Sequence, residues 1–214
     1  MELVSRICTV ENLANSADSV SWHAYREAER LTDTTMVPEL VEFLGSNPSR
    51  DQRKAAYFII GKLGKNLQDP NCASSLLSFI PTEKDKYALA SILDGFADIQ
   101  KPIHLDLRPI YQLLTDKRWL VRHSAIQALN NTASPEAEDQ LLSVLTVSAD
   151  PNDLIYCHAT LNRIGTEKSL PQLQEGLKSR KRDVKLSAQT AIDAIQKRAA
   201  AQQGAPADAA KRRG

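Results

Sequence analysis

The side chains best suited to chemistry are three cysteines and four histidines, and their spacing gives them little to do together. Cys8, Cys72 and Cys157 lie 64 and 85 residues apart, and no CxxC pair occurs. Zinc sites and disulfide frameworks need closer, paired cysteines. We therefore expect reduced, mostly buried thiols, because a free cysteine packs as a small apolar side chain.

One thiol has an imidazole beside it in the sequence, since His158 follows Cys157. Adjacent residues on a helix point about 100° apart, so these two side chains cannot hydrogen-bond directly as a nucleophile and its base. The sequence also lacks a Gly-rich phosphate loop, an HExxH motif and a GxSxG motif. We predict no catalytic residue, no metal site and no cofactor, and hence a protein that is not an enzyme.

Charge and hydropathy argue against two classes of partner. Basic residues number 27 and acidic residues 26, so the net charge of +1 provides no global attraction to nucleic acid or to an anionic membrane. The N-terminal segment MELVSRICTVENLANS has no apolar core typical of a signal peptide, and no window is apolar over about 18 residues. These features predict a protein of the reducing cytoplasm.

Small and apolar residues recur with a period near 33 residues. Taking Val121 as the reference, the equivalent positions are Val20, Gln52, Asp85, Val121, Asp153 and Val184. The residues four positions later are Ala24, Ala56, Leu89, Ala125, Cys157 and Ala188. Those eight positions later are Ala28, Ile60, Leu93, Leu129, Leu161 and Ile192. Positions four apart form one stripe of a helix, and this period is typical of stacked helical hairpins.

Each period divides into two predicted helices. The inner helix holds the reference position, and the six are expected near 19–32, 50–66, 84–98, 118–131, 151–164 and 182–200. The outer helix precedes it, near 2–15, 35–46, 70–80, 105–116, 135–147 and 168–179. Asp or Ser before Pro70, Pro135 and Pro151 predicts N-caps, and Ser49 with Gln52 predicts a capping box. Asn131 and Gly165 are expected to end helices in the left-handed conformation.

The inner helices carry a family resemblance. VRHSAIQALNN at 121–131, after LLTDKRW, resembles a HEAT repeat of the short bacterial kind also called PBS-lyase-like. DVKLSAQTAIDAI at 183–195 and RDQRKAAYFIIGKLG at 50–64 are similar. The resemblance covers residues 2–198 and implies an all-α fold, a right-handed α-solenoid of about six hairpins. We expect a single repeat domain at 1–198 and a disordered, Ala-rich basic tail at 199–214.

Some proteins with similar repeats are enzymes, and three such classes have motifs that can be compared with this sequence. Deoxyhypusine hydroxylases use repeated His-Glu dipeptides, and no histidine here is followed by Glu. RWLVRHSAI resembles a Trp-x-x-Arg segment of HEAT-like alkylpurine DNA glycosylases, but one turn after Trp119 comes His123 instead of a carboxylate. Phycobilin lyases share the short repeat, with no catalytic residue that can be matched. The resemblance therefore favours a protein-binding scaffold, with a nucleic-acid-binding relative of the glycosylases as the alternative.

In such a fold the inner helices would line a concave face, and binding residues should lie outside the buried stripe. The expected partner-binding residues are Trp22, Tyr25, Arg53, Tyr57, Lys86, Tyr87, Arg122 and His123. Tyr and Arg are frequent anchors of protein interfaces, and the expected partner is another protein, such as an acidic or extended peptide. The competing interpretation is an internal ladder, in which basic residues such as Arg122 and Lys185 bond turns and helix ends. A basic patch from Lys178 to Lys185 is either a further contact surface or a solvated turn.

Overall fold

A computed structural model describes residues 1–13 and 15–203. Within them the chain forms helices and no strand; one isolated bridge pairs Lys101 with Thr132. The helices are α1 (Glu2–Ile7), α2 (Val20–Ala28), α3 (Met36–Gly45), α4 (Arg50–Leu67), α5 (Pro70–Phe79), α6 (Lys86–Ala97), α7 (Arg108–Tyr111), α8 (Trp119–Ala128), α9 (Pro135–Val147), α10 (Pro151–Ile164), α11 (Leu170–Gly176) and α12 (Arg182–Gln203). Odd-numbered helices correspond to the predicted outer helices and even-numbered ones to the inner helices. The all-α HEAT-like fold is thereby confirmed.

The chain divides into two compact units, Met1–Ala133 and Ser134–Gly214, called unit 1 and unit 2 below. Unit 1 holds α1 to α8 and unit 2 holds α9 to α12. In each unit an outer helix packs against the inner helix that follows it, and successive inner helices also pack on one another: α4 on α6, α6 on α8, and α10 on α12. An interior inner helix is therefore covered on several sides. One domain over 1–198 stays a prediction.

The periodic stripe forms the core. The twelve positions four and eight residues after the reference are all buried, from Ala24 and Ala28 in α2 to Ala188 and Ile192 in α12, whereas the reference positions range from buried Val121 to Val20, which is 40% exposed. The outer helices contribute apolar pairs such as Leu40 with Leu44, because residues four apart face the same neighbour. Burial of mostly aliphatic side chains is the main force that holds each unit together.

The helix ends follow their predicted caps with two exceptions: Gly165, and Ser134, which holds the N-cap position of α9 without a side-chain capping hydrogen bond. The side chains of Asp69 and Asp150 accept amide hydrogen bonds at the starts of α5 and α10, and Ser49 with Gln52 forms the capping box. Asn131 is left-handed as expected, with φ 56°. The expectation for Gly165 is wrong, because its backbone is extended with φ −64°. A Cβ there would lie 2.6 Å from the Leu161 carbonyl oxygen, so lack of space accounts for this glycine.

Several helix lengths differ from the sequence prediction: α2, α8 and α11 end three or four residues early, and α1, α7 and α12 differ as follows. Helix α1 ends at Ile7 instead of near 15, and the apolar residues beyond it, Val10 and Leu13, are exposed and so have no core to extend into. Helix α7 is a single turn, Arg108–Tyr111. Helix α12 continues to Gln203, past the expected end near 200. The predicted disordered tail falls mostly at 204–214, outside the described residues.

Amide side chains join the C-terminal ends of neighbouring hairpins in unit 1. Asn66 Nδ2 donates to the carbonyl oxygens of Glu29 (3.0 Å) and Leu31 (2.8 Å). Gln68 Oε1 accepts from the amide of Gln100 at 2.8 Å. Helix ends leave carbonyl groups without an intrahelical partner, and the donated bonds satisfy some of them.

Candidate protein-binding face

The structure corrects the prediction that Tyr57 is exposed on the inner-helix surface: its side chain is only 2% exposed. The reason is helix packing, because α4 is covered by α6 as well as by its outer helix. Equivalent residues of other interior inner helices, Ala90, Ile126 and His158, are buried too. At the first inner helix, Tyr25 is exposed.

Arg53 also belongs to an internal network. Its guanidinium donates to both carboxylate oxygens of Glu83, at 2.8 and 3.1 Å, and to the Pro48 carbonyl at 2.9 Å. The Tyr57 hydroxyl donates to Glu83 Oε2 at 3.2 Å. Glu83 lies in the turn before α6, and its side chain is 4% exposed. The ladder interpretation is therefore correct for Arg53, which ties α4 to the turn of the next hairpin.

The electrostatics of this network follow from its bonds. Burial pushes the pKa of Glu83 upward, but hydrogen bonds from Arg53, the Asp85 amide and Tyr57 outweigh it and leave that pKa below its usual value. Burial and the neighbouring Glu83 raise the pKa of Tyr57. A polar pocket of about 480 Å³ opens beside the network, with Asn47, Phe79 and Thr82 also in its lining. Because the network's polar groups bind one another, we assign the network a structural role.

Two further predicted residues have internal contacts. Arg122 Nη1 donates to the Asp116 carbonyl oxygen at 2.8 Å, the turn contact that the ladder interpretation anticipated. His123 is 6% exposed, so the expectation that it lies on an open surface is wrong. Its ring lies against Trp119, with centroids 5.7 Å apart. On α12, Lys185 is exposed.

The remaining aromatic candidates are exposed, and sequence reasoning left one out. Among the described residues, every exposed Trp or Tyr lies on an inner helix of unit 1; the exposed fractions are Trp22 44%, Tyr25 39%, Tyr87 46% and Trp119 63%. We call these four the aromatic set. Trp119 was considered only as a glycosylase platform, although its place at the first position of α8 already set it outside the buried stripe. Large aromatic side chains left in water are typical of binding surfaces.

Cations lie against several of these rings. The guanidinium carbon of Arg26 lies 5.7 Å from the centre of the Trp22 ring, and the ammonium of Lys86 lies 4.9 Å from that of Tyr87. Phe58 is half-buried and contacts Tyr25 edge-on, with centroids 5.1 Å apart. Such arrangements combine apolar area with positive charge, the composition that many interface anchors share.

A pocket of about 310 Å³ lies between α4 and α6, adjoining this part of the surface. Its lining consists of Phe58, Gly61, Lys62, Ser91, Asp94, Gly95 and Asp98. A Cβ added to Gly61 would lie 2.6 Å from Cα of Gly95. The two helices therefore approach closely, and the glycines add no side chain to the pocket.

In unit 2, the side chains of Cys157 and His158 are buried in the helix packing. Cys157 is buried, and burial raises the pKa of its thiol. His158 is 1% exposed, its Nδ1 lies 2.9 Å from Ser187 Oγ, and burial lowers its pKa to about 4. A thiol whose pKa is raised is a poor nucleophile at neutral pH. In the basic patch, Lys178 forms an exposed ion pair with Glu175 at 2.6 Å.

Comparison with known proteins agrees with this architecture. None of the described helices is both long enough and apolar enough to cross a bilayer. No curated protein matches the chain. Residues 107–193 match the family model for HEAT repeats, which are commonly protein-interaction scaffolds and are generally not enzymes. The predicted resemblance to HEAT repeats is thus confirmed by the similarity over residues 107–193.

Proposed function

We propose that the chain is a non-enzymatic scaffold that binds a partner polypeptide through the inner helices of unit 1. The observation that carries the proposal is the aromatic set, since all four exposed Trp and Tyr residues lie on α2, α6 and α8 of that unit. Exposure of an aromatic ring to water is unfavourable, so covering the ring with a partner contributes favourably to the free energy of binding. Of the residues predicted from the sequence, Trp22, Tyr25, Lys86 and Tyr87 remain partner-binding candidates.

The test replaces two anchors that make few internal contacts. A Trp22→Ser, Tyr87→Ser variant should keep its melting temperature and lose partners that the wild-type protein retains from its native cell extract. For a purified partner, the dissociation constant should rise about tenfold or more, as loss of interface anchors usually does.

The matched control is Leu186→Ser, which removes an exposed apolar side chain of unit 2 (62% exposed). It should bind the same partner as tightly as wild type. Equal dissociation constants for the wild type and the double variant would overturn the proposal.

A single-stranded nucleic acid is the second candidate, favoured by the rings with cations beside them, which resemble a base-stacking platform. Some basic side chains nearby already pair with carboxylates: Arg26 with Glu29, and Arg50 and Lys54 with the one carboxylate of Asp51. Fluorescence titration with a labelled oligonucleotide decides between the two. Nucleic-acid binding requires affinity that falls steeply with salt and is lost in the Trp22→Ser, Tyr87→Ser variant.

A further inference from the structure

The pocket between α4 and α6 has features that the aromatic set does not explain. Phe58 contributes an aromatic side chain to the lining, and Gly61 and Gly95, whose backbones touch, contribute no side chain. Phe58 contacts Tyr25 of the aromatic set. A partner that covers those exposed rings would therefore pass the mouth of this pocket.

Two carboxylates line the pocket, and among the described residues only one of them forms an ion pair. Asp98 pairs with Lys65 at 2.9 Å. The nearby Ser124 favours the charged form of the Asp94 carboxylate, and within the described part of the chain no ion pair joins a cation to it. Asp94 is thus a carboxylate that the chain itself does not neutralise.

The surroundings of Asp94 make the interaction of its carboxylate with a cation more favourable. Its side chain reaches solvent, but the protein crowded around it displaces water and, with the nearby negative charge of Asp98, raises its pKa. A partly desolvated carboxylate gains more from a cation than one in bulk water does, because the Coulomb interaction is less screened.

The aromatic wall already supports an ammonium group. Lys62, a lining residue, places its Nζ 5.0 Å from the centre of the Phe58 ring. Among the described residues it forms no ion pair. The chain's own cation therefore shows that an ammonium can lie beside this ring, within the same pocket as Asp94.

We propose that this pocket receives the side chain of a lysine or arginine from the bound polypeptide, with the charged group at Asp94 and the aliphatic stem along Phe58. The inference rests on the proposed function, because it assigns a specificity to the same inner-helix surface. The occupant is basic because charge complementarity to Asp94 requires it. Lys62 competes with the incoming cation.

The experiment uses three short probes: acetyl-Gly-Arg-Gly-amide, acetyl-Gly-Gln-Gly-amide and acetyl-Gly-Glu-Gly-amide. Each is titrated into the ¹⁵N-labelled full chain, and the amide resonances of Gly61 and Gly95 are followed. The arginine probe should shift both resonances in a saturable way, and the other two should not. Equal shifts with the glutamine probe would overturn the proposal.

Two pocket variants and one control sharpen the result. Asp94→Asn should weaken the arginine probe about tenfold or more, and Lys62→Met should strengthen it by removing the competitor. Glu39→Gln makes the same change in net charge at an exposed position of α3. It should leave the dissociation constant of the arginine probe unchanged. An unchanged dissociation constant in Asp94→Asn, or equal weakening by Glu39→Gln, would overturn the proposal.

Failure here is distinguishable from failure of the proposed function. The Trp22→Ser, Tyr87→Ser variant leaves the pocket lining intact, so it should bind the arginine probe like wild type. If the probe binds normally but whole-partner binding does not depend on the aromatic set, only the scaffold proposal fails. If partner binding depends on the aromatic set but the dissociation constant of the arginine probe is unchanged in Asp94→Asn, only the pocket assignment fails.

Discussion

Gly61 and Gly95 meet where α4 packs on α6, so closely that a Cβ on Gly61 would lie 2.6 Å from the Cα atom of Gly95. The contact is backbone against backbone, which no side-chain rotation can relieve. The separation of these two inner helices, and with it the shape of the pocket above them, is fixed by the absence of two side chains.

The first prediction concerns that contact. Gly61→Ala should lower the free energy of unfolding by about 1–3 kcal/mol, because the added methyl must push α4 and α6 apart. The matched control is Gly45→Ala in α3, where a Cβ would meet nothing within 4 Å. This change should be neutral or slightly stabilising, because alanine favours helix more than glycine does. Urea denaturation measures both, and equal effects would contradict the close packing.

The second prediction separates the buried ladder from surface ion pairs. Arg53→Met should lower the free energy of unfolding by about 2–4 kcal/mol, because it leaves the carboxylate of Glu83 buried without its main donor. Arg50→Met removes a cation from the exposed pair with Asp51 and should leave stability nearly unchanged. Thermal melts of the two variants provide the comparison. If Arg53→Met melts like Arg50→Met, Arg53 is a surface residue after all.

The third prediction is the pH dependence of the same network. The pKa of Glu83 in the folded protein lies below its ordinary value of 4.5. On acidification, the Glu83 carboxylate is therefore protonated at a higher pH in the unfolded chain than in the folded protein. The stabilisation is present above pH 4.5 and is lost as the pH falls through the folded pKa. The stability difference between wild type and Glu83→Gln should therefore be constant from pH 7 to about 5 and shrink below that range. A difference that grows on acidification would show the opposite shift.

The fourth prediction concerns a buried lysine whose lowered pKa produces a pH response of the same sign in the alkaline range. Lys101 is 2% exposed; its ammonium donates to the carbonyl oxygens of Ala97 and Asn130, and burial lowers its pKa to about 7. The unfolded chain holds that proton up to about pH 10.5, so the stability of the wild type relative to Lys101→Met should rise from pH 7 to 10.

The same denaturation series on Lys86→Met, which changes an exposed lysine, serves as the control for Lys101. Its profile is the baseline against which the rise expected for Lys101→Met is measured. A flat profile for Lys101→Met as well would show that the ammonium stays fully charged in the folded protein.

The sequence could predict what depends on one helix and its nearest neighbour. Small or apolar residues recur at the positions of Ala56 and Ile60 in every period because each hairpin must bury one stripe of its inner helix. Both Ala56 and Ile60 are buried. Tyr57 lies beside that stripe, and its side chain contacts Phe79 of α5 and Glu83 in the following turn, which the local pattern does not encode. The partner of Arg53 is Glu83, 30 residues away, and no spacing rule connects them. The missed exposure of Trp119 is different, since its register alone placed it outside the stripe.

The bonds from Asn66 to the carbonyl oxygens of Glu29 and Leu31 join two hairpins through one side chain and one backbone. A backbone carbonyl is present whatever residue carries it. Substitutions in the receiving hairpin therefore leave the bond intact, provided that its helix still ends in the same place. Neighbouring hairpins joined in this way can diverge in sequence independently, without paired compensating changes, and their resemblance can fade while their register is preserved.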